Sequence, residues 1–222
     1  MEVSQTAKSL LSHVPADTPY LAANLQSLPD EVMDAYFARM EPVSDELQTQ
    51  LIGMKANLES GGESATGDET MDRLLLALLT EFDGKLNRAG LESMGWDLRG
   101  AKVIYGDGAF PVVRLGLSDP AALRATVLRV LEDAEVEAPE LEFQGISYWR
   151  VAHSDTAEAP LAMYISILPD HLVAAIYPLA LESDFLPGFL GLEFPASNDA
   201  AERIAALNQK YDLTPYGTGY LD

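Results

Sequence analysis

Three histidines, His13, His153 and His171, are the only imidazoles in this 222-residue chain, and no cysteine accompanies them. A zinc site needs three or four nitrogen, sulfur or carboxylate donors converging on one ion, and a local one shows as two histidines a helical turn apart. These three are scattered, with His171 in a turn signal and His153 at the end of a strand signal, so surface side chains are the expected role. The lack of thiols excludes cysteine nucleophiles, iron–sulfur clusters and every thiolate zinc site, while leaving the redox compartment open.

Carboxylates dominate the remaining chemistry, with 35 acids against 14 bases. Glu132, Asp133, Glu135, Glu137, Glu140 and Glu142 crowd one stretch without an intervening base. A calcium loop sets oxygen ligands around a glycine that lets the backbone fold about the ion. Here valine, alanine and proline intervene, so a solvated helix end and loop is expected. Asp68 with Asp72, or Asp155 with Glu158, could serve acid–base hydrolysis of a glycoside if one carboxyl of a pair had a raised pKa in a cleft. Close pairs also arise by chance in so acidic a chain. Gly217-Thr218-Gly219 lacks the third glycine and following helix of a dinucleotide site, Gly106-Asp107-Gly108 lacks the lysine of a phosphate loop, and no nucleophile elbow occurs. No catalytic residue, metal ligand or cofactor is assigned.

The segment 185–194 is the candidate contact. Phe185, Leu186, Phe189, Leu190 and Phe194 are apolar, yet Pro187, Gly188 and Gly191 interrupt them, so neither a regular helix nor a central strand is expected. Such a segment either closes over a core or presents an exposed apolar patch to a partner or a lipid.

The elements that position these residues follow from periodicity. A short strand is expected at 20–25, a helix from Pro29 towards Arg39, and another over 44–58, where Leu47, Leu51, Met54 and Leu58 share a face. A third helix over 70–82 carries Met71, Leu74, Leu75, Leu78, Leu79 and Phe82 on its apolar side. The glycine-rich stretch 60–68 between the last two makes them a helical hairpin. Residues 101–105 and 111–117 form a β-hairpin, and Ser118-Asp119-Pro120 starts a helix running to about Glu135. Strands follow at 147–153, 161–168 and 172–177, then a helix at 198–211 and a strand at 217–221. The expected class is α+β: a mostly antiparallel sheet with helices packed on one face, plus the N-terminal helical hairpin. Residues 1–84 would hold the first strand and the hairpin, and 85–222 the sheet with two helices, either as two domains or as one fused domain.

A formal charge of −21 repels nucleic acid and anionic lipid, and no basic cluster with interleaved aromatics offsets it. No stretch approaches the ~18 apolar residues of a membrane-spanning helix, so the chain as given is expected to be soluble. Self-repulsion predicts that thermal stability rises between 0.01 and 0.1 M salt, where the Debye length falls from ~30 to ~10 Å. A melting temperature that stays level or drops over that range would refute it.

Val14-Pro15-Ala16-Asp17-Thr18-Pro19-Tyr20 leading to Leu28-Pro29, then Phe110-Pro111-Val112-Val113-Arg114-Leu115, Tyr148-Trp149-Arg150 and Gly219-Tyr220-Leu221-Asp222, resemble the N-terminal part of uncharacterised exported or envelope proteins of Gram-negative bacteria, a domain of unknown function. The resemblance implies a periplasmic or otherwise exported protein, longer than this sequence, with a leader and a C-terminal continuation that the sequence lacks; a cytoplasmic location stays open. No catalytic residues come with it. The expected function is a non-enzymatic module that binds another protein, packs in an assembly, or meets the continuation of its own chain. The alternatives are a carrier of an apolar small molecule or lipid, held between the 71–82 helix and the sheet, and a carboxylate-dependent hydrolase.

Overall fold

Period-two alternation builds the largest element. In the computed structural model, which describes residues 3–60, 67, 69–136, 138–152, 160–195 and 199–221, the strands are β1 (Tyr20–Ala23), β2 (Lys102–Asp107), β3 (Phe110–Gly116), β4 (Glu140–Phe143), β5 (Ile146–Ala152), β6 (Leu161–Ile167), β7 (His171–Pro178) and β8 (Thr218–Leu221). They form one antiparallel sheet in the order β4-β5-β6-β7-β3-β2-β1-β8. The β2–β3 hairpin turns at Gly108, whose φ of +57° suits a residue without a Cβ.

The register brings Leu21, Val103, Tyr105, Val112, Val173, Ala175 and Tyr164 to one face. Three helices complete the core on that face: α1 (Gln5–Leu11) through Leu10 and Leu11, α6 (Glu182–Phe189) through Phe185 and Phe189, and α7 (Ala200–Tyr211) through Ile204. Burying each such large side chain stabilises by about 1.5–3 kcal/mol. The α+β architecture expected from the strand and turn spacing is thus observed.

The remaining helices are α2 (Asp30–Glu59), α3 (Glu69–Phe82), α4 (Arg88–Ser93) and α5 (Pro120–Asp133). By tertiary contact Met1–Leu28, Arg99–Leu117 and Glu140–Asp222 form the sheet unit, and Pro29–Leu98 with Ser118–Pro139 a helical unit. A single cut at residue 84 does not describe this division, because α1 and β1 join the sheet while α5 joins α2–α4.

Within the helical unit, α2 and α3 form the expected hairpin, with Leu51 and Ile52 meeting Leu79 and Phe82 around a cavity of about 10 Å³. Most of the glycine-rich connection lies outside the described residues. The helices expected at 29–39 and 44–58 are instead continuous in α2, with Pro42 inside. A proline costs ~3 kcal/mol in a helix interior, more than the propensities of its immediate neighbours can return. The side chain of Glu81, only 9% exposed, joins α3 to α5: it accepts from Arg129 Nη2 at 2.6 Å and Lys85 Nζ at 2.8 Å. The Arg129 hydrogen bond holds its pKa below the usual carboxylate value.

Caps set the other helix starts. Asp119 Oδ1 accepts from the N–H groups of Ala121 and Ala122 at 3.0 Å, with Pro120 in the first helical turn of α5. α1 and α4, too short for a periodic signal, are capped by Ser4 and Asn87. The acidic stretch expected to be a helix end and loop divides in a different way: Glu132 and Asp133 close α5, Glu135 follows with φ +51°, and Glu140 and Glu142 are exposed on β4. Leu141 and Phe143 alternate inward there, so the segment satisfies strand periodicity as well as solvation. Glu137 lies outside the described residues.

Candidate functional site

The sheet register decides which polar residues meet. Arg114 on β3 faces Val173, and Gly116 faces His171, so Arg114 and His171 project from the same sheet face two positions apart. Arg114 is fully buried. Its Nη2 donates to the carbonyls of Gly188 at 3.0 Å and Phe189 at 2.9 Å, its Nε to the Tyr105 hydroxyl at 3.3 Å, and its Nη1 lies 2.9 Å from His171 Nε2.

A guanidinium has donors only, so His171 Nε2 must accept. The imidazole proton then sits on Nδ1, 2.7 Å from Asp170 Oδ1, to which it donates. The result is a relay from the exposed Asp170 carboxylate through a buried neutral imidazole to a buried cation at the C-terminus of α6. Carbonyls there carry the negative end of the helix dipole, which offsets the Arg114 charge; among the described residues no carboxylate is in direct contact with it.

His13 follows α1 and completes the cluster. Its ring centre is 5.7 Å from that of His171 and 5.0 Å from that of Phe194, with which it stacks. Its Nδ1 is buried without a hydrogen-bond partner among the described residues. Burial first, then the charges of Arg114 and a protonated His171, push the His13 pKa down to about 3; Asp170 opposes them. His171 is also lowered by burial, against the opposing effect of the hydrogen bond it donates to Asp170. Both imidazoles are neutral at pH 7.

The chain leaves α6 through a Schellman turn: Leu192 N–H donates to Pro187 O at 2.9 Å and Gly191 N–H to Gly188 O at 3.2 Å. Gly191 has φ +73°, and a Cβ there would lie 2.8 Å from His13 Cε1. Gly191→Ala should therefore cost about 1–2 kcal/mol from the left-handed backbone alone, with crowding of His13 added. Chemical denaturation checks this, and a variant with the parental midpoint would refute it.

These placements revise several expectations. His171 is buried, not a surface turn residue, because β7 begins at it and turns its ring onto Arg114. The segment 185–194 is helical through Phe189, and Phe185, Leu186, Phe189 and Leu190 are all buried, so the expected exposed patch does not form from them. Phe185 stacks on Tyr177 with ring centres 4.0 Å apart. Of the five candidate contact residues only Phe194 is exposed, at 59%. The i, i+4 pairs Phe185/Phe189 and Leu186/Leu190 were the available helical signal, masked by Pro187 and Gly188.

His13 and His171 converge, but a zinc ion at His171 Nε2 would face the Arg114 guanidinium, and among the described residues no group of three or more histidine, aspartate or glutamate side chains could hold a metal. His153, Asp68, Asp155 and Glu158 lie outside the described residues. Among the described residues no serine, threonine or cysteine is hydrogen-bonded to His13 or His171. What the cluster can do chemically is clasp α6 to the sheet and take up protons when the pH falls.

Two surface features complete the inventory. Arg203, Ala206, Leu207 and Lys210 of α7 line an open groove of about 380 Å³ with Tyr220, whose hydroxyl accepts from Arg203 Nη2 at 2.5 Å. On α2, Val32, Tyr36, Val43, Leu47 and Met54 are all at least 40% exposed. Leu51 and Leu58, expected to share a face with Leu47 and Met54, are half-buried. Among the described residues no helix is long and apolar enough to cross a membrane. Comparison of the chain with protein-family models, with curated proteins and with solved structures finds no match.

Proposed function

We propose that this protein is a non-enzymatic module of the bacterial envelope that works by protein–protein association. The observation that supports association is the row of large apolar side chains left in water along α2. Single exposed hydrophobics need no explanation, whereas five on one side of one helix, though interrupted by Arg39 and Gln50, favour a contact surface. The envelope location rests on the resemblance of the 14–20, 110–115 and 148–150 segments to exported proteins of Gram-negative bacteria.

The Asp170–His171–Arg114 relay fits this reading because Arg114 is engaged in holding α6 and His171 is engaged with Arg114 on one side and Asp170 on the other. An apolar carrier would need an enclosed cavity of a few hundred Å³.

Native mass spectrometry of the purified protein, compared with its denatured mass, tests the proposal. A mass corresponding to an assembly supports it. A bare monomer that keeps a bound species of several hundred daltons would overturn it in favour of the carrier.

A further inference from the structure

We infer that the outer edge of β8, with the groove that α7 opens beside it, receives an extended acidic segment of another protein, which joins the sheet as one further strand. This surface is separate from the α2 row and stands on different residues.

The two edges of the sheet differ in charge. At one end β4 holds Glu140 and Glu142 in water, and charges of that kind keep an edge from pairing with a foreign strand. At the other end β8 is Thr218-Gly219-Tyr220-Leu221, with no charge. Along an antiparallel strand successive residues point their backbone groups to opposite sides. Asn24 N–H donates to Lys102 O on the β2 side, and Leu25 N–H to Pro215 O on the β8 side. Counting back along β1, Leu21 and Ala23 therefore exchange hydrogen bonds with their partners Tyr220 and Thr218. The N–H and C=O groups of Gly219 and Leu221 then point away from β1, and among the described residues no strand lies beyond them. Leu221 is 81% exposed.

The side chains beside this edge select the occupant. Tyr220 pairs with the buried Leu21 and so lies on the core face, where Arg203, Ala206, Leu207 and Lys210 form one stripe along α7. Together they line the open groove of about 380 Å³. The stripe is apolar in its middle and cationic at both ends. Arg203 Nη1 donates to Ala16 O and lies 3.9 Å from Asp199, while its Cζ sits 5.1 Å over the Tyr220 ring centre. Lys210 Nζ is 4.9 Å from the Tyr211 ring centre and has no carboxylate partner among the described residues. At physiological salt the Debye length is ~8 Å, so these two cations, rather than the total of −21, set the local preference. An added strand turns every second side chain to one face. The segment that fits has acidic and apolar residues at those positions, with its main chain paired to Gly219 and Leu221.

Amide NMR spectra of the isotope-labelled full chain test this with capped synthetic peptides of about eight residues. Every second residue is threonine and the others alternate glutamate with valine; a control peptide carries lysine for glutamate. Shifts confined to β8 and α7 should saturate with a Kd on the order of 100 µM, weakening severalfold between about 0.05 and 0.5 M salt. The lysine peptide should bind about tenfold more weakly, and Lys210→Glu, at an exposed position, should reverse that preference. Leu221→Pro removes one outward N–H and should weaken the glutamate peptide about tenfold with the melting temperature unchanged. N-methylating the threonines, or the glutamates and valines instead, should give opposite results, since only one of the two sets of N–H groups faces β8. No shifts at about 1 mM peptide, equal binding of the glutamate and lysine peptides, or equal tolerance of the two methylation patterns would overturn the inference. Free glutamate reproducing the shifts at the same concentration would do so as well. A peptide-free chain that dimerises, and loses the dimer in Leu221→Pro, would assign the edge to a second copy and overturn the acidic segment. The association reading on α2 is unaffected by any of these outcomes.

Discussion

Arg114→Ala is expected to lower the melting temperature by about 10 °C or more, corresponding to a loss of about 3–5 kcal/mol. The guanidinium is fully buried and supplies donors to four acceptors: the carbonyls of Gly188 and Phe189, the Tyr105 hydroxyl and His171 Nε2. Truncation strands these acceptors in the core and opens a cavity, and each effect costs more than the net contribution of an average hydrogen bond. Arg114→Met should lose less, because it restores volume and removes the cost of desolvating a cation. Arg114→Lys should not recover the parental value, since one ammonium cannot span both the end of α6 and His171. A melting temperature for Arg114→Ala within about 2 °C of the parent, less than 1 kcal/mol, would mean that the clasp does not hold α6.

Acid should weaken the fold through the same cluster. An unfolded His13 takes up a proton near pH 6.5, whereas the folded one does so only near pH 3. Between those values the unfolded chain binds a proton that the native state refuses, so the His13 contribution is complete above about pH 6.5 and disappears as the pH falls towards 3. His171, also lowered, acts in the same direction. The groups facing His13 are Arg114, His171 and Asp170; the first two resist its protonation and the third favours it. Allowing for solvent screening of a half-buried ring, the loss from His13 by pH 4.5 should be about 1–2 kcal/mol. Urea titrations of the parent and of His13→Leu from pH 7 to 4.5 measure it: the variant should fall less steeply, and parallel curves would show that His13 is not the titrating group.

Local signals accounted for much of the architecture. The β2–β3 hairpin, the proline turn before β7, the Asp119-Pro120 start of α5 and the apolar stripe of α3 each follow from a few adjacent residues. The failures were local rules outweighed by context. Pro187 interrupts the apolar run 185–194 in the sequence, and the helices expected at 29–39 and 44–58 part around Pro42, yet both prolines lie inside helices; in α6 the burial of Phe185 and Phe189 offsets the penalty. Glu140 and Glu142 carry the charge of a solvated loop, but their alternation with Leu141 and Phe143 fits a strand with one face in water.

By itself the sequence determined the α+β class, the antiparallel hairpins, the absence of thiols and the acidic character, because composition and short-range periodicity suffice for these. Only the tertiary structure decided that His13, Arg114, His171 and Phe194 meet, since residues so distant in the chain are brought together by strand order and register, which no local pattern encodes. It also decided which apolar residues stay in water: Phe185 and Leu47 look alike in a sequence, and only packing distinguishes the one that fills the core from the one that faces solvent on α2.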